Sequence, residues 1–229
     1  MAKASVSSPV NIAWIIFRSK WCWRPQKNYF VKTKLFWWAM GNKAVLLDRD
    51  GTLIQERGHI GTIRQVRFIR GAFTALKKLC RHGFKIVIVS NQSGVARDII
   101  SQLQVEKVNR YILETLNLHD IKIDALYYCP HHPRYGNGSF KKKCNCRKPA
   151  AGMAKTAQKK LNLSLRKCYV IGDKLSDIEL AQKINAKGIL VLTGFGREQW
   201  SGAENNCARP VFVAKNILDA TKWIVSDCK

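Results

Sequence analysis

The chain has 229 residues, room for one α/β domain, or one domain and an appendage. Its 46% hydrophobic content excludes disorder over most of that length. Lys+Arg of 40 against Asp+Glu of 15 gives a formal net charge of +25. The basic residues are spread along the chain, so the charge favours anions in general and does not mark a nucleic-acid stripe.

Residues 1–40 differ in composition from the rest of the chain: they hold Trp14, Trp21, Trp23, Trp37 and Trp38, five of the seven tryptophans, and no acid. Their longest apolar run, Ile12 to Phe17, is far short of the roughly 20 residues needed to span a bilayer. No small-residue cleavage site comes after it, as a signal peptide requires. The expectation is a poorly ordered basic and aromatic extension, explained by a mis-assigned start with Met40 as the true one. A single folded domain is expected over 41–229.

From Ala44 onward, apolar runs alternate with helix-like segments. Strands are expected at Ala44–Leu47, Lys85–Val89, Ile123–Tyr128, Lys167–Ile171, Gly188–Leu192 and Val211–Ala214. Helices are expected at Ala72–His82, Ser101–Leu116, Gly152–Leu161, Ser176–Asn185 and Ile217–Val225. This alternation predicts a doubly wound, mainly parallel sheet. Neither loop beside the first strand end is long enough for a sizeable cap domain, so small loops must shape the site.

The expected strand ends carry the chemistry. The first run stops at Asp48 and Asp50, whose i, i+2 spacing points both carboxylates to one side of an extended chain. The second ends in Ser90-Asn91-Gln92-Ser93, the third leads through an insertion to Arg147 and Lys148, and the fourth ends with Asp173, Lys174 and Asp177. In a parallel sheet these ends share one edge. The acids suit a hard divalent cation such as Mg²⁺. Ser90, the backbone amides after it and Lys148 suit a phosphate. Asp177, one turn beyond Asp173, is expected to cap its helix or orient Lys174 rather than touch metal. Within the insertion, Cys129, His131, Cys144 and Cys146 are spaced as two tight pairs, suited to a closed structural Zn²⁺ site. His132 is expected beside the metal or at the surface.

The order DRDGT, NQSG, YYCPHHP, CNCRKPAAGM and GDKLSD resembles the haloacid dehalogenase superfamily. More narrowly it is similar to the D-glycero-D-manno-heptose 1,7-bisphosphate 7-phosphatases of lipopolysaccharide-core biosynthesis, over about Lys43 to Thr193. The resemblance implies an aspartyl-phosphate mechanism with Asp48 as nucleophile and Asp50 as general acid and base. It implies Mg²⁺ on Asp48, the Asp50 carbonyl and Asp173, with Ser90 and Lys148 on the phosphoryl group. Glu56, Arg57, Gly58, His59, Ser90, Asn91, Gln92, Ser93, Arg147, Lys148 and Lys174 are then expected to bind a small sugar bisphosphate. His59 stands where that family usually has an aromatic residue. The same reading implies a cytoplasmic monomer without nucleic-acid or membrane partners. A histidinol-phosphate phosphatase, which shares the aspartates and the zinc loop, and a phosphatase or binding protein acting on nucleic-acid ends are the alternatives.

Overall fold

The computed structural model describes residues 41–136, 138–202 and 207–228, and the expected extension 1–40 lies outside them. All of β1 (Ala44–Leu47) is buried, which is why its run is apolar without alternation. β2 (Lys85–Asn91), β3 (Ala125–Cys129), β4 (Tyr169–Gly172), β5 (Lys187–Val191) and β6 (Phe212–Ala214) complete a sheet of order β3-β2-β1-β4-β5-β6. Every strand pairing in it is parallel. The chain builds outward from β1 to β3 and then returns to β1's other side. The divergence of β1 and β4 is therefore a topological switch point, where open sheets of this kind bind ligands. Leu47 pairs with both Ile88 and Ile171, so the residues after each of these meet at one edge.

The helices are α1 (Ala72–Arg81), α2 (Gln102–Leu118), α3 (Gly152–Leu161), α4 (Leu175–Lys183), α5 (Gly196–Ser201) and α6 (Ile217–Asp227). No expected element end moves by more than two residues. Lys167, expected in a strand, instead closes a short 3₁₀ turn, Leu165–Lys167, and β4 begins after it. α5 carries no sequence expectation because its six residues are too few to display a helical period.

Alternation along the strands divides the core in two. Val45 and Leu47, with Ile86, Ile88 and Ile171, face Leu76 and Leu79 of α1, Ile112 of α2 and Ile224 of α6. Ala44, Leu46, Val87 and Val170 face Met153, Ala154 and Ala157 of α3 and Leu180 and Ala181 of α4. On this second face Ala154, Ala157 and Ala181 are the small side chains that the helices bring to the sheet. At Gly188 of β5 an added Cβ would lie 3.0 Å from the Cβ of Ala181, so helix and sheet are already in close contact. Among the described residues no helix is long and apolar enough to cross a membrane.

α2 starts on a capping box: Ser101 Oγ accepts from the Gln104 amide at 3.1 Å, and Gln104 Oε1 accepts from the Ser101 amide at 2.7 Å. Two amide donors that would otherwise lack helical partners are satisfied. Ser101→Ala is expected to cost about 1 kcal/mol, measured as a lower denaturant midpoint with an unchanged slope.

Candidate active site

Beyond β1 the chain turns sharply. The amides of Leu53 and Ile54 both donate to Arg49 O at 3.0 Å, and Gly51 N–H donates to Ile54 O at 2.8 Å. Gly51 adopts φ +82°, and a Cβ there would overlap Asp173 Oδ2. Gly194 presses on the same carboxylate from the loop after β5. These two close approaches explain the glycines and place Asp173, at the end of β4, beside Asp48. Asp173 Oδ2 accepts from the Phe195 amide at 2.9 Å. Its Oδ1 is buried and has no hydrogen-bond partner among the described residues. Burial, reinforced by Asp48, pushes the Asp173 carboxyl up to about 8. Carboxylate oxygens of Asp48, Asp173 and Asp177 lie within 4.8 Å of one another. An orphaned carboxylate oxygen beside a second carboxylate fits a divalent cation with oxygen ligands.

One lysine holds this acidic group together. Lys148 Nζ lies 2.5 Å from Asp48 Oδ1 and 2.6 Å from Asp177 Oδ1, and donates to Val89 O at 2.8 Å. Burial alone would push the ammonium down, but Asp177 and Asp48 outweigh it and hold Lys148 above its ordinary value. Asp177 also accepts from the Lys174 amide at 3.4 Å, capping α4. Its carboxylate therefore orients Lys148, where the sequence pointed to Lys174. Asn91, expected to bind substrate, grips the Lys148 backbone from both sides: its Nδ2 donates to Lys148 O at 3.1 Å, and its Oδ1 accepts from Lys148 N at 3.0 Å.

The strand ends open into a cleft of about 240 Å³. Glu56, Gly58 and His59 line it from the loop after β1, and Ser90, Asn91, Gln92 and Ser93 from the end of β2. Lys148 and Lys174 join them, with Asp48, Asp50 and Asp177 below. Two expected binding residues do not line it. Arg57 is exposed and donates to Gln55 Oε1 at 3.1 Å. Arg147 donates to His131 O at 3.2 Å within the insertion. The phosphate cradle also needs correction: the Gln92 amide already donates to Cys129 O at 2.7 Å, so it is committed to the backbone. Gln92 Nε2 instead links Ser90 Oγ, at 2.8 Å, to Asp50 Oδ2, at 2.7 Å.

Sequence reasoning passes over three residues here. Arg49 is buried against Asp50 and donates to buried Asn109, and Phe195 lies at the cleft wall with Lys174 Nζ 4.6 Å from its ring centroid. The available signals were a charge inside DRDGT, a lone asparagine on an apolar helix face, and an aromatic between two glycines. Lys174 is also 3.5 Å from Glu56 Oε2. Burial raises the Glu56 carboxyl, and Lys174 pulls it back.

In the insertion, Cys129 Sγ lies 3.5 Å from Cys144 Sγ and 3.1 Å from Cys146 Sγ, and the latter two are 3.3 Å apart. His131 Nδ1 is 3.6 Å from Cys129 Sγ and 3.3 Å from Cys146 Sγ. These separations outline a small tetrahedron, close to the edges of about 3.8 Å set by Zn–S bonds of about 2.3 Å. All four expected ligands thus converge, and the donor set fits a tetrahedral metal. His132 is buried, not at the surface, and its Nδ1 accepts from the amides of Arg134 and Tyr135 at 3.1 and 3.0 Å.

Comparison with known proteins identifies relatives of the chain. Residues 145–220 match the HAD-hydrolase-like family. The D-glycero-beta-D-manno-heptose-1,7-bisphosphate 7-phosphatase of Haemophilus ducreyi is 43% identical over 157 residues, covering 68% of this chain and 86% of that one. Its counterpart in Escherichia coli K12 is 38% identical over 162 residues, covering 71% and 84%. The crystal structure of D,D-heptose 1,7-bisphosphate phosphatase from B. bronchiseptica, complexed with magnesium and phosphate, shares the fold: TM-score 0.71, 24% identity, covering 81% of this chain and 99% of that one.

Cys146→Ser removes one corner of the sulfur tetrahedron next to Arg147 and Lys148. The variant is expected to lose bound metal and melt at lower temperature, as read by metal analysis and calorimetry.

Proposed function

The chain belongs to the D-glycero-beta-D-manno-heptose-1,7-bisphosphate 7-phosphatase family of HAD-like hydrolases, and from that premise we propose how its own residues remove the 7-phosphate of the heptose bisphosphate. It is a phosphoric monoester hydrolase serving heptose supply for the lipopolysaccharide core. The observation that carries the residue roles is the Asp48 carboxylate, bound through Oδ1 to buried Lys148 at the switch point, with Asp50 two residues on.

Lys148 leaves Asp48 Oδ2 to attack phosphorus. As the Asp48–phosphorus bond forms, the bond from phosphorus to the sugar oxygen breaks, and Asp50 gives that oxygen its proton. Asp50 then takes a proton from water, the water oxygen attacks phosphorus, and inorganic phosphate leaves with Asp48 restored. Lys148 and Ser90 offset charge on the phosphoryl oxygens throughout. Asp48, Asp173 and the Asp50 carbonyl are the residues that would hold Mg²⁺, which when bound neutralises phosphate charge. The cysteine cluster would hold Zn²⁺, a closed structural site with no coordination position for substrate.

Glu56, Gly58, His59, Ser93 and Lys174 face the sugar in this reading, and Arg147 must leave His131 O to grip the second phosphate. The phosphatase domain spans 41–229, with the zinc loop 129–146 beside the cleft in place of a cap. The protein is read as a cytoplasmic monomer that acts on a small sugar bisphosphate.

Asp48→Asn is expected to abolish turnover, because an amide is no nucleophile towards phosphorus. Asp50→Asn is expected to keep substrate affinity while turnover falls roughly 10²–10⁴-fold. The deciding assay is kcat/KM on heptose bisphosphate, fructose 1,6-bisphosphate and histidinol phosphate. Preference for histidinol phosphate would overturn the substrate assignment. Arg147→Ala is expected to lower kcat/KM more for the bisphosphate than for a monophosphate, and equal losses would remove the clamp.

A further inference from the structure

Arg49 is the largest fully buried side chain among the described residues, at 1% exposure. A guanidinium so deep in the protein needs acceptors for its donors. Asp50 supplies them on both of its oxygens. Arg49 Nε lies 3.1 Å from both Asp50 oxygens, and Nη2 lies 3.0 Å from Oδ1 and 2.9 Å from Oδ2. The far nitrogen, Nη1, donates to Asn109 Oδ1 at 2.7 Å. Asn109 belongs to α2 and is buried on the same face as Val105, Val108 and Ile112, a position that packing alone would give to an aliphatic side chain. On the other side, Gln92 Nε2 donates to Asp50 Oδ2.

We infer that Arg49 and Asn109 are positioning residues that fix the orientation of the Asp50 carboxyl, so that its proton is delivered to the leaving oxygen. The inference rests on the reading of Asp50 as proton carrier. Nε and Nη2 each lie about equally far from both carboxylate oxygens, so the guanidinium crosses the carboxyl and restrains both oxygens at once, and the Asn109 bond anchors it to α2, whose Val108, Ile112 and Leu116 lie in the core. Asp48 is held separately, by Lys148. Loosening Arg49 therefore impairs proton delivery and leaves nucleophilic attack intact.

That separation can be read from leaving groups. A sugar alkoxide needs a proton as it departs, whereas p-nitrophenolate does not. Because kcat/KM reports only the steps through formation of the aspartyl-phosphate, later use of Asp50 as base does not enter it. The test measures kcat/KM of Asn109→Ala, Arg49→Gln and Arg49→Lys on heptose bisphosphate and on p-nitrophenyl phosphate, with Asp50→Asn alongside. The expected result is a loss of about 10–100-fold on the sugar phosphate for Asn109→Ala and Arg49→Gln, with the aryl phosphate within about 2-fold of wild type. Arg49→Lys keeps the charge but offers one nitrogen in place of two, and is expected to recover part of the loss. Equal losses on both substrates would mean that Arg49 only holds the turn, and would overturn the inference. If Asp50→Asn is selective for the sugar phosphate and the other variants are not, the inference fails alone. If Asp50→Asn shows no selectivity, the reading of Asp50 fails and this inference with it. Asn109→Ala removes no charge, and it decides the matter should Arg49→Gln not fold.

Discussion

Where β1 and β4 part, three carboxylates crowd together, and the Lys148 ammonium binds two of them from within a fully buried position. Like charges this close repel strongly in a medium less polarisable than water, so the arrangement needs compensating cations. Lys148 supplies one of them, and its reach depends on the rest of the fold. Asn91 at the end of β2 grips its backbone, Val89 O accepts its third hydrogen bond, and the insertion after β3 delivers it to the cleft. Breaking a buried pair of this sort typically costs about 3–5 kcal/mol, because the remaining charge is left uncompensated.

The same dependence explains why a cysteine cluster sits beside a phosphate cleft. Cys144 and Cys146 immediately precede Arg147 and Lys148, and Cys129 ends β3. A long insertion would otherwise bear the full conformational entropy of ordering its own backbone. Gathering Cys129, His131, Cys144 and Cys146 into one cluster ties both ends of the loop together at the end of β3, next to Lys148. Asp50 receives a different form of support, a buried arginine tied to a helix on the opposite face. The two aspartates of one short turn are thus held by independent parts of the molecule.

Much of this was legible in the sequence because it derives from local pattern. The unbroken apolar run Ala44–Leu47 implied a strand buried on both faces, and the alternation of runs and periodic segments implied a parallel sheet with its strand ends on one edge. The ligand pairs around Cys129 and Cys146 were equally plain, since metal spacing is a local property. What escaped depends on contacts between distant segments. Asn109 resembles an ordinary polar interruption until Arg49, sixty positions earlier, is seen against it. Arg147 comes after the cysteines as a clamp should, yet its guanidinium is turned to His131 O. By sequence Asp177 belongs with its neighbour Lys174, whereas its ion-pair partner is Lys148, from another loop. Motif spacing indicates which residues gather at a site; the direction in which each side chain turns is settled by packing.

The two faces of the sheet also differ in how freely their sequences can drift. On the side of α1, α2 and α6 the core is made of branched side chains such as Leu76, Ile112 and Ile224, whose volumes can be exchanged among neighbours at small cost. On the side of α3 and α4 it includes Ala154, Ala157 and Ala181, and a Cβ added at Gly188 would come within 3.0 Å of Ala181. Lys148 stands just ahead of α3, and Asp177 lies in the first turn of α4. A methyl group added at Gly188 would press on Ala181 of α4, the helix whose first turn carries Asp177, and so reach the ion pair of Lys148 through the packing and not through the cleft.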